Sequence, residues 1–182
     1  MRFAETEVEG AWIVDVDRIE DERGFFARAF SRDEFVERGL NVDFVQENIG
    51  YNNLPGTLRG LHLQRAPHAE AKLVRCTRGA VWDVAADVRS GSPSYGRWAG
   101  VELSAENRRL LYVPEGCAHG YLTLVADSEL RYLTTHEYVA ESATGVPYDD
   151  PALGIDWPAS IELMSDNDRS WTPLGEATEE TA

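Results

Sequence analysis

Lysine occurs once in this chain of 182 residues, at Lys72, beside sixteen arginines. An ammonium is a compact charge on a flexible stem, and burial moves its pKa; a guanidinium is planar and stays charged. A site that must steady negative charge on one substrate oxygen would use the ammonium. An arginine-biased genome would also leave a single surface lysine, so Lys72 gains meaning only from its neighbours. Ten residues before it stands His62, in Leu58-Arg-Gly-Leu-His-Leu-Gln64. His62 and Gln64 share strand parity, opposite to Leu61 and Leu63. His119 and Tyr121 share parity after the turn that starts at Pro114. If these polar faces line a barrel interior, His62, Lys72, Asp83, His119 and Tyr132 become candidate walls of one cavity. A lone histidine in a strand is more often a hydrogen-bonded core residue; two histidines with the only lysine shift that balance.

Metal chemistry is the competing use of these histidines. Pro114-x-Gly-x-x-His119 matches half of a metal-cupin pattern, but the other half reads His62-Leu-Gln64, an amide where a second imidazole is needed. A transition metal wants three or four good ligands. Two histidines with no clear third point to a metal-free cavity. Arg59 and Arg23 each lie beside a glycine, and guanidinium groups match phosphate oxygens bidentately. With 32 acidic residues available, a surface ion pair is the plainer reading of either one.

The elements that would position these groups read as short strands. Val81–Val88 alternates Trp82, Val84, Ala86 and Val88 on one face with Asp83 and Asp87 on the other. Leu110–Val113, Tyr121–Val125 and Ser128–Thr135 are also β-rich. Turn signals recur at Asn53–Gly56, Thr77–Gly79, Ser90–Pro93 and Pro114–Gly116. This spacing suggests a sandwich or barrel. One helix is expected after Ser31, with Ser31 and Glu34 as a capping box and Gly39 as the stop. Residues 1–170 read as one domain, with 171–182 as an acidic, flexible tail.

The bulk composition is consistent with this. Hydrophobic residues make up 43%, with five Trp, seven Tyr and six Phe, enough for one core. The formal charge of -15 disfavours nucleic acid as a partner. No apolar run reaches membrane-spanning length, no signal-peptide pattern opens the chain, and two cysteines make no disulfide framework. The expected setting is the cytoplasm.

Taken in order, the motifs resemble the dTDP-4-dehydrorhamnose 3,5-epimerase family. The matching runs are Asp21–Phe26, Phe44–Asn48, Leu58–His62, Lys72–Arg75, Asp83–Arg89, Ser92–Gly96, Val113–Gly120, Tyr132, Tyr148–Pro151, Gly154–Pro158 and Ser165–Asp168. Together they cover about residues 15–170. The resemblance implies a mainly β, cupin-like jelly-roll barrel in a homodimer, with no metal or organic cofactor. It implies a nucleotide-linked 4-keto-6-deoxyhexose as substrate, dTDP-linked, with inversion at C3, C5 or both. It implies His62 as general base, Asp168 as its orienting carboxylate, Lys72 on the enolate oxygen at C4, and Tyr132 as proton donor from the opposite face. It places Arg59 and Arg23 on the diphosphate and leaves open that Arg23 comes from the partner subunit. Phe26 falls in the same substrate-binding motif. Gln46 and Asn48 would contact the nucleoside, Tyr138 would stack near the base, and His119 and Asp83 would line the sugar pocket. The chain departs from the family pattern at Arg28, Leu133, Ala143 and Tyr148, which leaves nucleotide preference open. Two further epimerase readings invert C3 only or C5 only. The non-enzyme alternative is a cupin that binds a sugar nucleotide, and the metal alternative is a cupin oxygenase or isomerase.

Overall fold

The computed structural model describes residues 1–174. Its strands are β1 (Arg2–Glu5), β2 (Trp12–Asp15), β3 (Arg18–Asp21), β4 (Gly24–Ala27), β5 (Gln46–Asn52), β6 (Leu58–Gln64), β7 (Lys72–Arg78), β8 (Ala80–Asp87), β9 (Trp98–Ser104), β10 (Leu110–Val113), β11 (Cys117–Thr123), β12 (Ser128–Thr134) and β13 (Ala143–Gly145). Two short helices, α1 (Arg32–Val36) and α2 (Asp166–Arg169), complete the set among the described residues. A six-stranded antiparallel sheet runs β1-β2-β10-β7-β12-β5, and a five-stranded one runs β13-β6-β11-β8-β9. The fold is the cupin-like jelly roll that the resemblance implies. The pair β3–β4 stands apart as its own two-stranded sheet.

Between the two sheets lies one core. Val74, Cys76, Leu111, Val113 and Leu130 of the six-stranded sheet meet Val81, Ala85, Val101, Leu103 and Cys117 of the five-stranded sheet. Both outer faces are also covered. Phe35, Leu40 and Val42 close over Val14, Leu73, Leu110 and Tyr112. Val146 and Leu153 close over Leu61, Val84, Ala86 and Ala118. The alternation of β8 therefore separates two buried faces: Asp83 and Asp87 share the barrel-facing side with Val81 and Ala85, and both carboxylates are fully buried. Cys76 and Cys117 are buried thiols, pushed up by burial to about 11 and about 12.

The structure moves two sequence-based expectations. Ser31 is the N-cap of α1, but its side chain makes no cap bond. Glu34 instead faces the Met1 ammonium at 3.4 Å and Arg28 at 3.7 Å, so the capping box is not made. The tail boundary also moves. Trp171 stands 6.1 Å, ring to ring, from His62; Leu174 packs beside the outer cluster, and its N–H donates to Asp150 at 2.7 Å. Residues 171–174 thus pack against the barrel, while 175–182 lie outside the described residues.

The local feature that positions the site is a bulge in β6. His119 pairs with His62 and Tyr121 pairs with Arg59, so three steps on β6 oppose two on β11. One extra residue in a strand restores a common face to side chains that plain alternation would send apart. Arg59 and His62 therefore open into the same cavity. The close approach needs glycine on both strands. Gly60 has φ +128°, and a Cβ there would meet Gly120 Cα at 2.5 Å; one on Gly120 would meet the Arg59 carbonyl at 2.8 Å.

Asp87 ties the loop after β8 to the barrel. Arg89 donates to it through Nε at 2.8 Å and Nη2 at 2.7 Å, and the Ser92 and Ser94 hydroxyls each donate at 2.5 Å. Burial alone would raise this carboxyl, but the Arg89, Ser92 and Ser94 bonds outweigh it and hold Asp87 below its ordinary 3.8. Asp87→Ala is expected to cost about 2–3 kcal/mol in urea unfolding near neutral pH, because a guanidinium and two hydroxyls lose their acceptor. A carboxyl with a depressed folded pKa stabilises above its unfolded value, and that part is lost as pH falls from 3.8 toward the folded value. The gap between wild type and variant should therefore narrow below pH 3.8; a gap that stays constant would remove the assignment.

Candidate active site

The barrel opens at one end into a cavity of about 540 Å³. The five-stranded sheet supplies Arg59, His62, His119 and Tyr121 to its lining; the six-stranded sheet supplies Gln46, Asn48, Lys72, Tyr132 and Thr134. Imidazoles and phenol Tyr132 thus stand on opposite walls.

His62 Nε2 lies 2.6 Å from Asp168 Oδ1. Asp168 is held from three sides. Its own N–H donates to the Ser165 hydroxyl at 3.1 Å, which caps α2. Its Oδ2 accepts the Gly60 N–H at 3.3 Å, a backbone donor of the bulge. Burial would raise the Asp168 pKa, but the bond and charge of His62 and the Gly60 N–H keep it below the ordinary carboxylate value. A carboxylate accepting at Nε2 fixes the proton on that nitrogen and leaves the lone pair on Nδ1. That tautomer is a base.

Lys72 reaches across from β7. Its Nζ donates to the His62 carbonyl at 3.0 Å and pairs with Glu70 Oε1 at 3.1 Å. Burial lowers its pKa, while Glu70 and then Asp83 push it back up. Tyr132 is raised, first by burial and then by Glu70, so its phenol keeps its proton. Its ring centroid lies 6.4 Å from that of His119. His119 Nε2 contacts Asp83 Oδ1 at 2.9 Å, and both side chains are buried. A held imidazole, a buried ammonium and a protonated phenol can remove a proton next to a carbonyl, stabilise the oxyanion and return a proton from another side.

The remaining polar residues grade outward. Arg59 donates through Nε to Asn52 Oδ1 at 2.8 Å, and Asn52 in turn donates to the Tyr121 hydroxyl at 3.2 Å. Gln46 bonds Asn48 at 2.9 Å and accepts the Tyr138 N–H at 3.2 Å. Tyr138 is exposed, with its ring at the cavity rim. The Gln64 amide is taken up by backbone. It donates to the His68 and Glu137 carbonyls and accepts the Val139 N–H at 2.6 Å, which pins the segment leading to Tyr138.

Ten of the twelve residues singled out from sequence gather here, nine at the cavity lining or directly behind His62 and one deeper. Asp83 is that exception: it does not line the cavity but sits fully buried behind His119 as its support. Arg23 and Phe26 are not brought to the cavity within one chain. They lie on the β3–β4 hairpin, both strongly exposed, with Arg23 paired to Asp21. Among the departures from the family pattern, Ala143 lines the cavity, Leu133 packs against the outer core, Tyr148 packs beside Leu58, and Arg28 is exposed. Glu70, Tyr121 and Trp171 line the cavity and were not singled out as site residues. Glu70 stands two residues from the only lysine, which was the available signal.

The sequence model of the family described as dTDP-4-dehydrorhamnose 3,5-epimerase matches residues 5–176. The dTDP-4-dehydrorhamnose 3,5-epimerase of Methanothermobacter thermautotrophicus is 46% identical over 178 residues, covering 96% of this chain and 95% of the relative. The crystal structure of the enzyme of that name from Elizabethkingia anophelis superposes with a TM-score of 0.93 at 39% identity, over 97% of this chain and 98% of that one. A Legionella pneumophila dTDP-6-deoxy-D-glucose-3,5-epimerase, solved in complex with dTDP-4-keto-L-rhamnose, gives 0.89 at 37% identity, over 97% and 94%. The chain is an epimerase, an isomerase by class, and belongs to the dTDP-4-dehydrorhamnose 3,5-epimerase family.

Proposed function

We propose that the enzyme takes dTDP-4-keto-6-deoxyglucose and inverts C3 and C5 without a cofactor, giving dTDP-4-dehydrorhamnose. His62, held by Asp168, removes the proton next to the C4 ketone. Lys72 stabilises the enolate oxygen as charge develops there. Tyr132 returns a proton from the opposite face. Arg59 holds the diphosphate, Gln46 and Asn48 meet the nucleoside, Tyr138 stacks near the base, and His119, backed by Asp83, shapes the sugar pocket. The observation that carries this reading is the placement of an Asp-held imidazole and a partly buried phenol on facing sheets around one cavity. Names and bound ligands of the relatives support the substrate.

We further propose a homodimer in which the β3–β4 hairpin reaches the partner's cavity. Arg23 and Phe26 then complete the nucleotide end. The exposure of Ile19, Phe25 and Phe26 on that hairpin supports this, since apolar side chains there gain from cover. The cytoplasm is the compartment we assign, in keeping with two buried free thiols.

Two experiments test the chemistry. In D₂O, NMR of dTDP-4-keto-6-deoxyglucose should show label entering C3 and C5 with wild type. With His62→Ala that uptake should fall by about 10²-fold or more. Tyr132→Phe should exchange protons yet invert poorly, because the base remains and the acid is gone. Continued uptake at the wild-type rate in His62→Ala would remove it as the base. The pH profile supplies the second check. Protonated Lys72 is the competent form, so kcat falls as pH rises through its lowered pKa. The alkaline limb should lie below 10.5, the ordinary lysine value, while raised Tyr132 keeps its proton beyond that limb.

A further inference from the structure

Glu70 stands in the turn segment just before β7 and lines the cavity, yet it is only 8% exposed. Its Oε1 is taken by Lys72 at 3.1 Å, while its Oε2 is buried and has no hydrogen-bond partner among the described residues. A buried acceptor left unmade is unfavourable, and in a cavity wall it is an acceptor set aside for a donor on the ligand. The oxygen belongs to the same carboxylate that fixes the ammonium. Whatever bonds to it must therefore sit directly beside whatever Lys72 holds.

The sugar offers one match. Around its C4 ketone, the C5 side carries a methyl group and the ring oxygen, neither of them a donor. The C3 side carries a hydroxyl on the adjacent carbon. An acceptor oxygen and a donor hydroxyl on neighbouring carbons are complementary to an ammonium and a carboxylate in contact. We propose that Glu70 Oε2 accepts the C3 hydroxyl of the substrate, so that Lys72 and Glu70 together read the α-hydroxyketone and orient the ring with C3 toward Glu70. This rests on the reading of Lys72 as the cation on the ketone oxygen. A site built to bond a hydroxyl discriminates strongly against the analogue that lacks it.

The test compares deuterium uptake at C5, a position present in both sugars, for dTDP-4-keto-6-deoxyglucose and its 3-deoxy counterpart. Wild type should prefer the 3-hydroxy sugar by about 10²-fold or more in kcat/KM. In Glu70→Gln the side chain keeps its size but loses the charged acceptor, and the preference should shrink to under about 10-fold. Any weakening of Lys72 or of folding lowers both sugars together and cancels in the ratio. Equal handling of the two sugars by wild type overturns the assignment even if the variant does not fold, as does an undiminished preference in Glu70→Gln. Absence of uptake with either sugar in wild type would instead remove the epimerase reading itself.

Discussion

The site depends on one backbone contact, the approach of Gly60 on β6 to Gly120 on β11. Neither strand tolerates a side chain at that crossing. The added residue it permits does two things. It turns Arg59 and His62 to the same interior face, and it presents the Gly60 N–H to Asp168. Arg59, His62 and Asp168, proposed as phosphate grip, base and orienting carboxylate, are thus coupled through a single irregularity in an otherwise regular ladder. Bulges of this kind re-aim side chains next to active sites in many sheets.

Around that crossing, charge is arranged in three couples. Asp168 stands behind His62, Asp83 behind His119, and Glu70 beside Lys72. Each carboxylate is buried, and each cationic or imidazole partner reaches the cavity. A carboxylate in such a place fixes a tautomer or holds a charge that desolvation would otherwise remove. Both imidazoles sit on one sheet, with Asp168 supplied by α2, and the ammonium comes from the other sheet. Lys72 crosses the gap to the His62 carbonyl, so the charged groups of the cavity are spread over both layers and their arrangement depends on the spacing between them.

Much of this was readable in the chain. Period-two patterning and recurrent turns specify a β architecture, and the motif order specifies the family. The solitary lysine and the paired histidines mark the cavity. What could not be read has physical causes. Strict alternation sends residues three apart to opposite faces, so the common face of Arg59 and His62 is invisible without the bulge. Asp83 and Asp87 were correctly separated from Trp82 and Val84, but parity cannot rank two faces when both are buried. Trp171 falls within the tail bounds read from sequence, and its ring stands beside that of His62, a contact that a lone aromatic does not announce. Arg23 and Phe26 were identified by motif, whereas their distance from the cavity is a property of one chain considered alone.

The C-terminal segment has an implication for biosynthesis. The strand bearing His62 is made early, but its Asp168 partner follows 106 residues later, on a short helix that docks under the sheet. While the polypeptide emerges from the ribosome, the barrel strands can pair before Asp168 joins them. Under the proposed roles, a chain released before Asp168 carries an imidazole with no carboxylate behind it, and the couple forms only once α2 has left the ribosome and docked.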